Sequence, residues 1–489
     1  MDLPASPQND ELLNEVHPPH WINPEGAGIY DIIVIGAGPA GLVAAWEAAG
    51  RGHRAALIER DMIGGDCFNV GCIPSKTIIR TARLFADMRN ASQFGAHTPE
   101  NITVDFAAVM QRMRHVRARV AKEVSVHRLK EAGIDVFLGT ASFVGKTSLA
   151  VGDSTLHFKK ALIATGSRPE VPRIKGLAEA GFLTNEDLFN LKEAPESLLV
   201  IGGGPLGCEM AQAFSRLGSE VSISQREPMF LANVERDGAQ ILSNALARDG
   251  IGIYLNARVL NISSQGKTKR VDLLSDDTKS TIEVEQILVS AGRRPNVRLL
   301  DLEKAEVAYT PHSGVEINDY LQTTNPNIYA AGDVCPDRKF DHVQEAAARA
   351  VIANALEQGQ RKLSALITPW CIYTTPEVAH VGLHVREARE QNIPIKTYTV
   401  LMHQVDRAIA DGEEEGFVKI HLREGSDEIL GATIVARHAG DIINYVSLAM
   451  AAKLGLTALA EVSFPYPTQA QAVRMAALSF MQSQNKRSL

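Results

Sequence analysis

The apolar positions of the chain fall into blocks whose period changes in a repeated way. Residues 30–60, YDIIVIGAGPAGLVAAWEAAGRGHRAALIER, begin with the apolar run Ile32–Ile35. Such a run suits a parallel strand buried on both faces. A glycine turn, a helical stretch and a second strand follow. Residues 197–226, SLLVIGGGPLGCEMAQAFSRLGSEVSISQR, repeat strand, glycine turn, helix and strand. The two copies lie about 165 positions apart, which makes them two nucleotide-binding domains rather than a short-period repeat. Between them KKALIATGSRP reads as a strand ending at Thr165-Gly166, echoed by EQILVSAGRRPN and later by NPNIYAAGDV, which runs into Gly332-Asp333. From about Thr368 the texture changes to short alternating strands (WCIYT, FVKIHL, ILGATIVA) and then a helix, AGDIINYVSLAMAAKLG. That mixture predicts an antiparallel sheet with helices, a third domain of α+β type. Residues up to about 29 hold five prolines and show no period, so they read as a loose extension. Residues 403–416, HQVDRAIADGEEEG, read as an acidic surface hairpin.

The 489 residues are too many for one ordinary core. With 45% hydrophobic and 22% charged residues the composition is that of a globular protein. The net charge of -7 and the lack of a Lys/Arg-rich stripe argue against nucleic acid. No segment supplies the ~20 apolar residues a membrane span needs, and the acidic start lacks the marks of a signal peptide. The expectation is a cytoplasmic protein in a reducing compartment. There, a close cysteine pair reads as catalytic, redox-sensing or metal-binding rather than as a structural bridge.

Gly36, Gly38 and Gly41 form G-x-G-x-x-G between strand and helix. The first permits the tight turn, the second admits a pyrophosphate, and the third lets helix pack on strand. The phosphate charge would meet the helix N-terminus. Glu59 ends the next strand, where a carboxylate accepts hydrogen bonds from ribose hydroxyls. The motif by itself does not distinguish FAD from NAD. Gly202, Gly204 and Gly207 repeat the arrangement, but Gln225 stands at the position of Glu59 and Arg226 follows. An arginine pairs with a 2′-phosphate that a carboxylate would repel, so NADPH is favoured over NADH.

GGDCFNVGCIPSK places Cys67 and Cys72 five positions apart. In a regular helix that spacing rises about 7.5 Å, beyond the ~4.4–6.8 Å that a disulfide spans between Cα atoms. If the two are bonded, residues 67–72 cannot all be regular helix. Gly71 supplies the freedom and Pro74 suits the first turn of a following helix. Cys72 would then lie near a helix N-terminus, where the dipole favours a thiolate. Zinc ligation is not indicated, because four suitably spaced ligands are not visible; no resident metal is expected. Cys208, Cys335 and Cys371 read as packing residues.

On these motifs, from about Tyr30 onward, the chain resembles the flavoprotein pyridine nucleotide-disulfide oxidoreductases, which include dihydrolipoamide dehydrogenase, glutathione reductase and mercuric reductase. GGDCFNVGCIPSK is among the most specific motifs of that family. The resemblance implies an α/β fold with two Rossmann-like βαβ domains, the second inserted in the first, and a C-terminal α+β dimerisation domain. It divides the chain into an N-terminal extension (1–29), an FAD-binding domain (30–170), an NAD(P)-binding domain (171–291), the return of the FAD-binding domain (292–366) and a dimerisation domain (367–489). It implies that Cys67 exchanges with substrate and that Cys72 lies nearest the flavin, forming the charge-transfer pair. Lys76 would reach flavin N5 and pair with Glu209. Gly65, Ala141, Thr165 and Gly166 would line the flavin nucleotide, with Gly332 beside Asp333, whose carboxylate would bond the ribityl chain. Gly292 and Arg293 would lie near the nicotinamide-domain junction.

One departure is informative. Disulfide reductases of this group carry His-Pro near the C-terminus with a Glu four residues after that Pro, and the histidine reaches over from the partner subunit to carry a proton. Here the segment is SFPYPTQAQA, with Tyr466 before Pro467 and Gln471 at the glutamate position. A phenol, with an ordinary pKa of ~10, is a poor base near neutral pH. Phe464-Pro465-Tyr466 instead resembles the mercuric reductase branch, although that branch also ends in a cysteine pair where this chain reads SQNKRSL. His438 and Asp441 are expected near Tyr466. The reading is therefore a homodimeric oxidoreductase with a shared active site, passing electrons to a small-molecule or metal-ion acceptor. The rival readings are a lipoamide-type disulfide reductase, a quinone reductase acting at the flavin, and a non-enzymatic redox sensor.

Overall fold

A computed structural model describes residues 3–26, 28–99, 101–231, 234–336 and 341–485. The residues at the very end of SQNKRSL, 486–489, lie outside these. The first domain is built on a seven-stranded sheet. Its parallel part runs in the order Asp135–Leu138, Ala55–Glu59, Ile29–Ile35, Ser154–Ile163 and Ile328–Ala330. Ile32, Ile33 and Val34 have no exposed surface, as expected of a strand covered on both faces. Each such side chain stabilises the fold by roughly 1.5–3 kcal/mol. The last strand, Ile328–Ala330, comes from beyond the second glycine turn, so the second domain is an insertion in the first.

That inserted domain carries a four-stranded parallel sheet in the order Gly252–Tyr254, Glu220–Ser224, Ser197–Ile201 and Gln286–Val289. A three-stranded antiparallel sheet, Ala257–Gln265, Thr268–Ser275 and Thr278–Val284, stands beside it. The chain enters and leaves through a two-stranded antiparallel link, Ser167–Pro169 with Arg293–Pro295. The C-terminal domain is the expected α+β unit. Five antiparallel strands, in the order Trp370–Ile372, Glu377–Gly382, Ile429–Ala436, Phe417–Arg423 and Ile395–Leu401, pack with helices Ala439–Ala451 and Gln471–Asn485. Among the described residues, no helix is long and apolar enough to cross a membrane.

Two expectations are corrected. The N-terminal segment is not loose: Pro7–Val16 is a helix, capped by Ser6, with Asn9, Leu12 and Val16 buried. Its inward stripe includes an asparagine, which hides the helical period from an apolar count. The segment continues along the first sheet, where Trp21 Nε1 donates to Val136 O at 3.2 Å and Asn23 exchanges two bonds with the Leu138 backbone. Residues 403–416 are not a hairpin either. A 3-10 turn, Met402–Gln404, leads into a short helix, Asp406–Asp411, whose Ala408 is buried.

Candidate functional site

Both glycine turns face one cavity of about 1920 Å³. That is about twice the upper end of ordinary small-molecule pockets. Gly36 has φ +101, and a Cβ there would stand 2.4 Å from Ala164 O. Only glycine meets both conditions. A Cβ on Gly41 would be 1.8 Å from Gly36 O, so the helix packs directly on the turn, whereas Gly38 has nothing within 4 Å and lies open to the cavity. Gly202, Gly204 and Gly207 reproduce this division of labour. The cradle therefore fits a pyrophosphate at the N-terminus of helix Pro39–Gly50.

The ends of the two second strands correspond closely. Glu59 Oε2 accepts from Ala37 N at 2.7 Å, and Gln225 Oε1 accepts from Gly203 N at 2.7 Å. Burial pushes the Glu59 carboxyl above its ordinary range, against the opposing effect of N–H bonds from Asp61 and Ala37. Arg226 lines the cavity with its side chain 80% exposed, 3.3 Å from Glu227. Glu227 also accepts from Gln225 Nε2 at 2.7 Å. That acidic neighbour belongs to the site and was not anticipated.

The cysteines sit on two helical pieces. Cys67 is in Gly65–Val70, and Cys72 opens Cys72–Arg89, with Gly71 between them outside both. The chain thus breaks its helix where the spacing argument requires. Both cysteines are half-buried on the cavity wall. One turn on, Lys76 Nζ lies 3.0 Å from Glu209 Oε2 and 3.3 Å from Oε1. Glu209 also accepts from Tyr373 N at 2.9 Å, and the Tyr373 ring lies 4.6 Å from Lys76 Nζ. Burial disfavours the ammonium, but Glu209 and Cys72 outweigh it and hold Lys76 above its ordinary pKa.

Thr165, Gly166, Gly65, Gly292, Gly332 and Asp333 all line the cavity. Asp333 accepts from Ser167 Oγ at 2.6 Å and Gln344 Nε2 at 2.9 Å. Arg293 Nε lies 3.4 Å from Asp333, and its Nη2 bonds Asp66, the residue before Cys67. Ala141 is not brought to the cavity: it is buried in the core of the 141–151 hairpin with Phe143 and Leu149. Cys371, read as a packing residue, is on the cavity wall next to Ile372 and Tyr373, and burial raises its thiol pKa. Burial likewise raises Cys208, and Cys335 to about 12. Tyr466 is 73% exposed, away from the cavity of its own chain, and donates to Asp406 Oδ2 at 2.8 Å. The partner of its phenol is thus in the 403–416 segment, while His438 lies 3.9 Å from Asp441. Gln471 donates to Phe464 O at 3.3 Å. Among the described residues, no group of three His, Cys, Asp or Glu is placed to hold a metal ion.

Residues that single-sequence reading did not find are Asp66, Ser167, Gln344, Tyr373 and Glu227. Asp66, Ser167 and Tyr373 are defined by contacts made across the fold and Gln344 by its bond to Asp333, whereas Glu227 meets its chain neighbours Arg226 and Gln225.

Residues 30–350 match the family described as pyridine nucleotide-disulphide oxidoreductase, and residues 368–477 match its dimerisation domain. The chain is 33% identical over 479 residues to a mercuric reductase of Bacillus cereus, covering 98% of this chain and 75% of that protein. It is 34% identical over 448 residues to a dihydrolipoyl dehydrogenase of Chlamydia trachomatis serovar D, covering 90% and 95%. The solved Cu(II) complex of the HOCl-induced flavoprotein disulfide reductase RclA from Escherichia coli superposes with a TM-score of 0.82 at 30% identity, covering 93% of this chain and all of that one. The chain belongs to the pyridine nucleotide-disulphide oxidoreductase family of FAD-dependent enzymes.

Proposed function

We propose that this enzyme uses NADPH and the Cys67–Cys72 pair to reduce a soft-metal or otherwise thiol-reactive acceptor, in the manner of a mercuric reductase. When bound, FAD supplies the two-electron chemistry that links nicotinamide to the cysteine pair. The Gly36-Gly38-Gly41 turn and Glu59 hold its adenosine diphosphate part. Gly65, Thr165, Gly166, Gly332 and Asp333 hold the remainder, with Gly292 and Arg293 at the domain junction. Lys76, fixed by Glu209, presents a cation to the ring. Gly202, Gly204 and Gly207 hold the nicotinamide nucleotide, and Arg226 pairs with its 2′-phosphate. Cys72 serves the flavin side and Cys67 meets the acceptor.

One observation carries the choice of acceptor. In the segment where disulfide reductases keep an imidazole–carboxylate pair, Tyr466 donates to Asp406 and Gln471 bonds backbone. This arrangement offers no proton carrier near neutral pH. Disulfide exchange needs one; capture of a soft cation needs thiolates instead. The mercuric reductase relative and the Cu(II)-bound RclA support the same reading. The dimerisation match and the exposure of Tyr445, Leu448, Val462 and Tyr466 support a homodimer in which Tyr466 of the partner subunit lines the acceptor end. The test is NADPH oxidation by purified enzyme with mercury(II), lipoamide, glutathione disulfide or a quinone. Turnover with mercury(II) well above that with either disulfide is expected; a dominant lipoamide activity would overturn the reading.

A further inference from the structure

The short helix that carries Cys67 is held at its end by two side chains from distant elements. The last carbonyls of a helix have no partner within it and must be satisfied from outside. Val70 O accepts from Asn185 Nδ2 at 3.1 Å. Asn69 O accepts from Arg117 Nη1 at 2.9 Å. Arg117 is 1% exposed, in helix Phe106–Ala121. Its other arm, Nη2, donates to Asn9 Oδ1 at 2.8 Å, and Asn9 Nδ2 in turn donates to Pro4 O at 2.6 Å. Asn9 is 2% exposed and belongs to the N-terminal helix. The same helix reaches the motif a second way: Val16 O accepts from Ile63 N at 3.1 Å, just ahead of Gly64-Gly65.

A guanidinium is a rigid fork, so fixing one arm fixes the other. Here the fork joins two amides, one on each side, and neither arm meets a carboxylate. A buried cation used this way does not form an ion pair. It ties the N-terminal helix to the backbone between the two cysteines.

We propose that Asn9 and Arg117 are positioning residues of the redox centre, forming a strut that keeps Gly65–Val70 seated so that Cys67 stays within bonding reach of Cys72. The N-terminal helix is then a working part of the centre. The strut favours the disulfide over the dithiol, because it removes freedom that would separate the sulfurs. This inference rests on the reading of Cys67 and Cys72 as the redox pair.

The test uses full-length, FAD-loaded wild type with Asn9→Ala, Arg117→Met, Arg117→Lys and Leu12→Ala. Each is equilibrated with fixed ratios of reduced and oxidised dithiothreitol, trapped by alkylation, and the 67–72 peptide is quantified by mass spectrometry. Each Cys67–Cys72 bond cleaved takes two electrons and two protons from one dithiothreitol, which closes to its cyclic disulfide. Asn9→Ala and Arg117→Met should shift the equilibrium toward dithiol by about tenfold, or about 30 mV for this two-electron couple. Arg117→Lys should shift it less than Arg117→Met. Leu12 is buried in the same helix but outside the strut, so Leu12→Ala should lower the melting temperature without moving the equilibrium. The proposal is overturned if Asn9→Ala stays within twofold of wild type, or if Leu12→Ala shifts as far as the strut variants. Should Arg117→Met not fold, Asn9→Ala decides. Full acceptor turnover by Cys67→Ser would instead show that the reading of the pair is wrong, whatever the strut does.

Discussion

Gly71 lies against Cys67 so closely that a Cβ on Gly71 would stand 3.1 Å from the Cys67 Cα and 2.8 Å from Asp66 O. The second distance is shorter than real Cβ contacts, and its partner is backbone, which cannot swing away. The glycine is therefore what lets the start of the long helix fold back onto the turn before it. Gly71→Ala should separate Cys72 from Cys67. In wild type oxidised by air and then denatured, all but the pair among the five cysteines should react with Ellman's reagent. The variant should show extra reactive thiol. An unchanged thiol count would mean that this contact does not set the pair's geometry.

Lys76 and Glu209 lead to a prediction about pH. The raised Lys76 pKa means that the folded state binds this proton more tightly than the unfolded chain does. Its contribution to stability is thus fully present below the ordinary lysine value of ~10.4 and is lost as pH rises through the higher folded value. The melting-temperature gap between wild type and Glu209→Gln should be constant from pH 6 to 9 and shrink above about pH 10. A gap that closes below pH 8 would contradict this. Breaking a largely buried pair costs about 3–5 kcal/mol, so the gap should be several degrees.

If Arg226 pairs with a 2′-phosphate as proposed, Arg226 and Glu227 should make opposing contributions to nicotinamide choice. Arg226→Glu should lower kcat/KM for NADPH relative to NADH by at least about tenfold, the scale of one charge-assisted contact. Glu227→Gln should raise the same ratio, because it frees the arginine from its 3.3 Å partner. Steady-state kinetics with both nucleotides measures each change. A wild type that prefers NADH outright would remove Arg226 from this role.

The two halves of the site were not equally legible in the sequence. The glycine turns, Glu59, Gln225 and the cysteine pair could be read because strand, turn and helix follow one another within about 30 residues, and local spacing carries their chemistry. Lys76 and Glu209 are charged residues 133 positions apart, and only the family resemblance joined them. The Asp66–Arg293 bond spans 227 positions. Arg117–Asn9 spans 108; neither pair leaves a periodic trace. Asn9 also explains why the N-terminal helix escaped notice, since a polar residue occupies one of its buried positions. Ala141 came from the family resemblance alone, and the fold buries its side chain in a hairpin core.

Tyr466 already has a carboxylate beside it, Asp406 at 2.8 Å from its hydroxyl. Hydrogen bonding to that carboxylate holds the phenol above its ordinary pKa, so it cannot serve as a base near pH 7. Tyr466→His with Gln471→Glu should raise lipoamide or glutathione disulfide turnover toward the 100- to 10,000-fold that positioned acid–base catalysis is worth. Mercury(II) turnover should change far less. An equal change in both would mean that the residue affects access rather than proton transfer.

In the proposed cycle electrons leave the enzyme through Cys67, so steady-state NADPH oxidation with mercury(II) should separate wild type from Cys67→Ser. Both proteins must be FAD-loaded and of equal melting temperature. The variant should lose at least about 100-fold in turnover, the low end of what a positioned catalytic group is worth, while still transferring hydride from NADPH to the flavin in a single-turnover experiment. Cys67→Ser turning over mercury(II) at the wild-type rate would contradict that cycle.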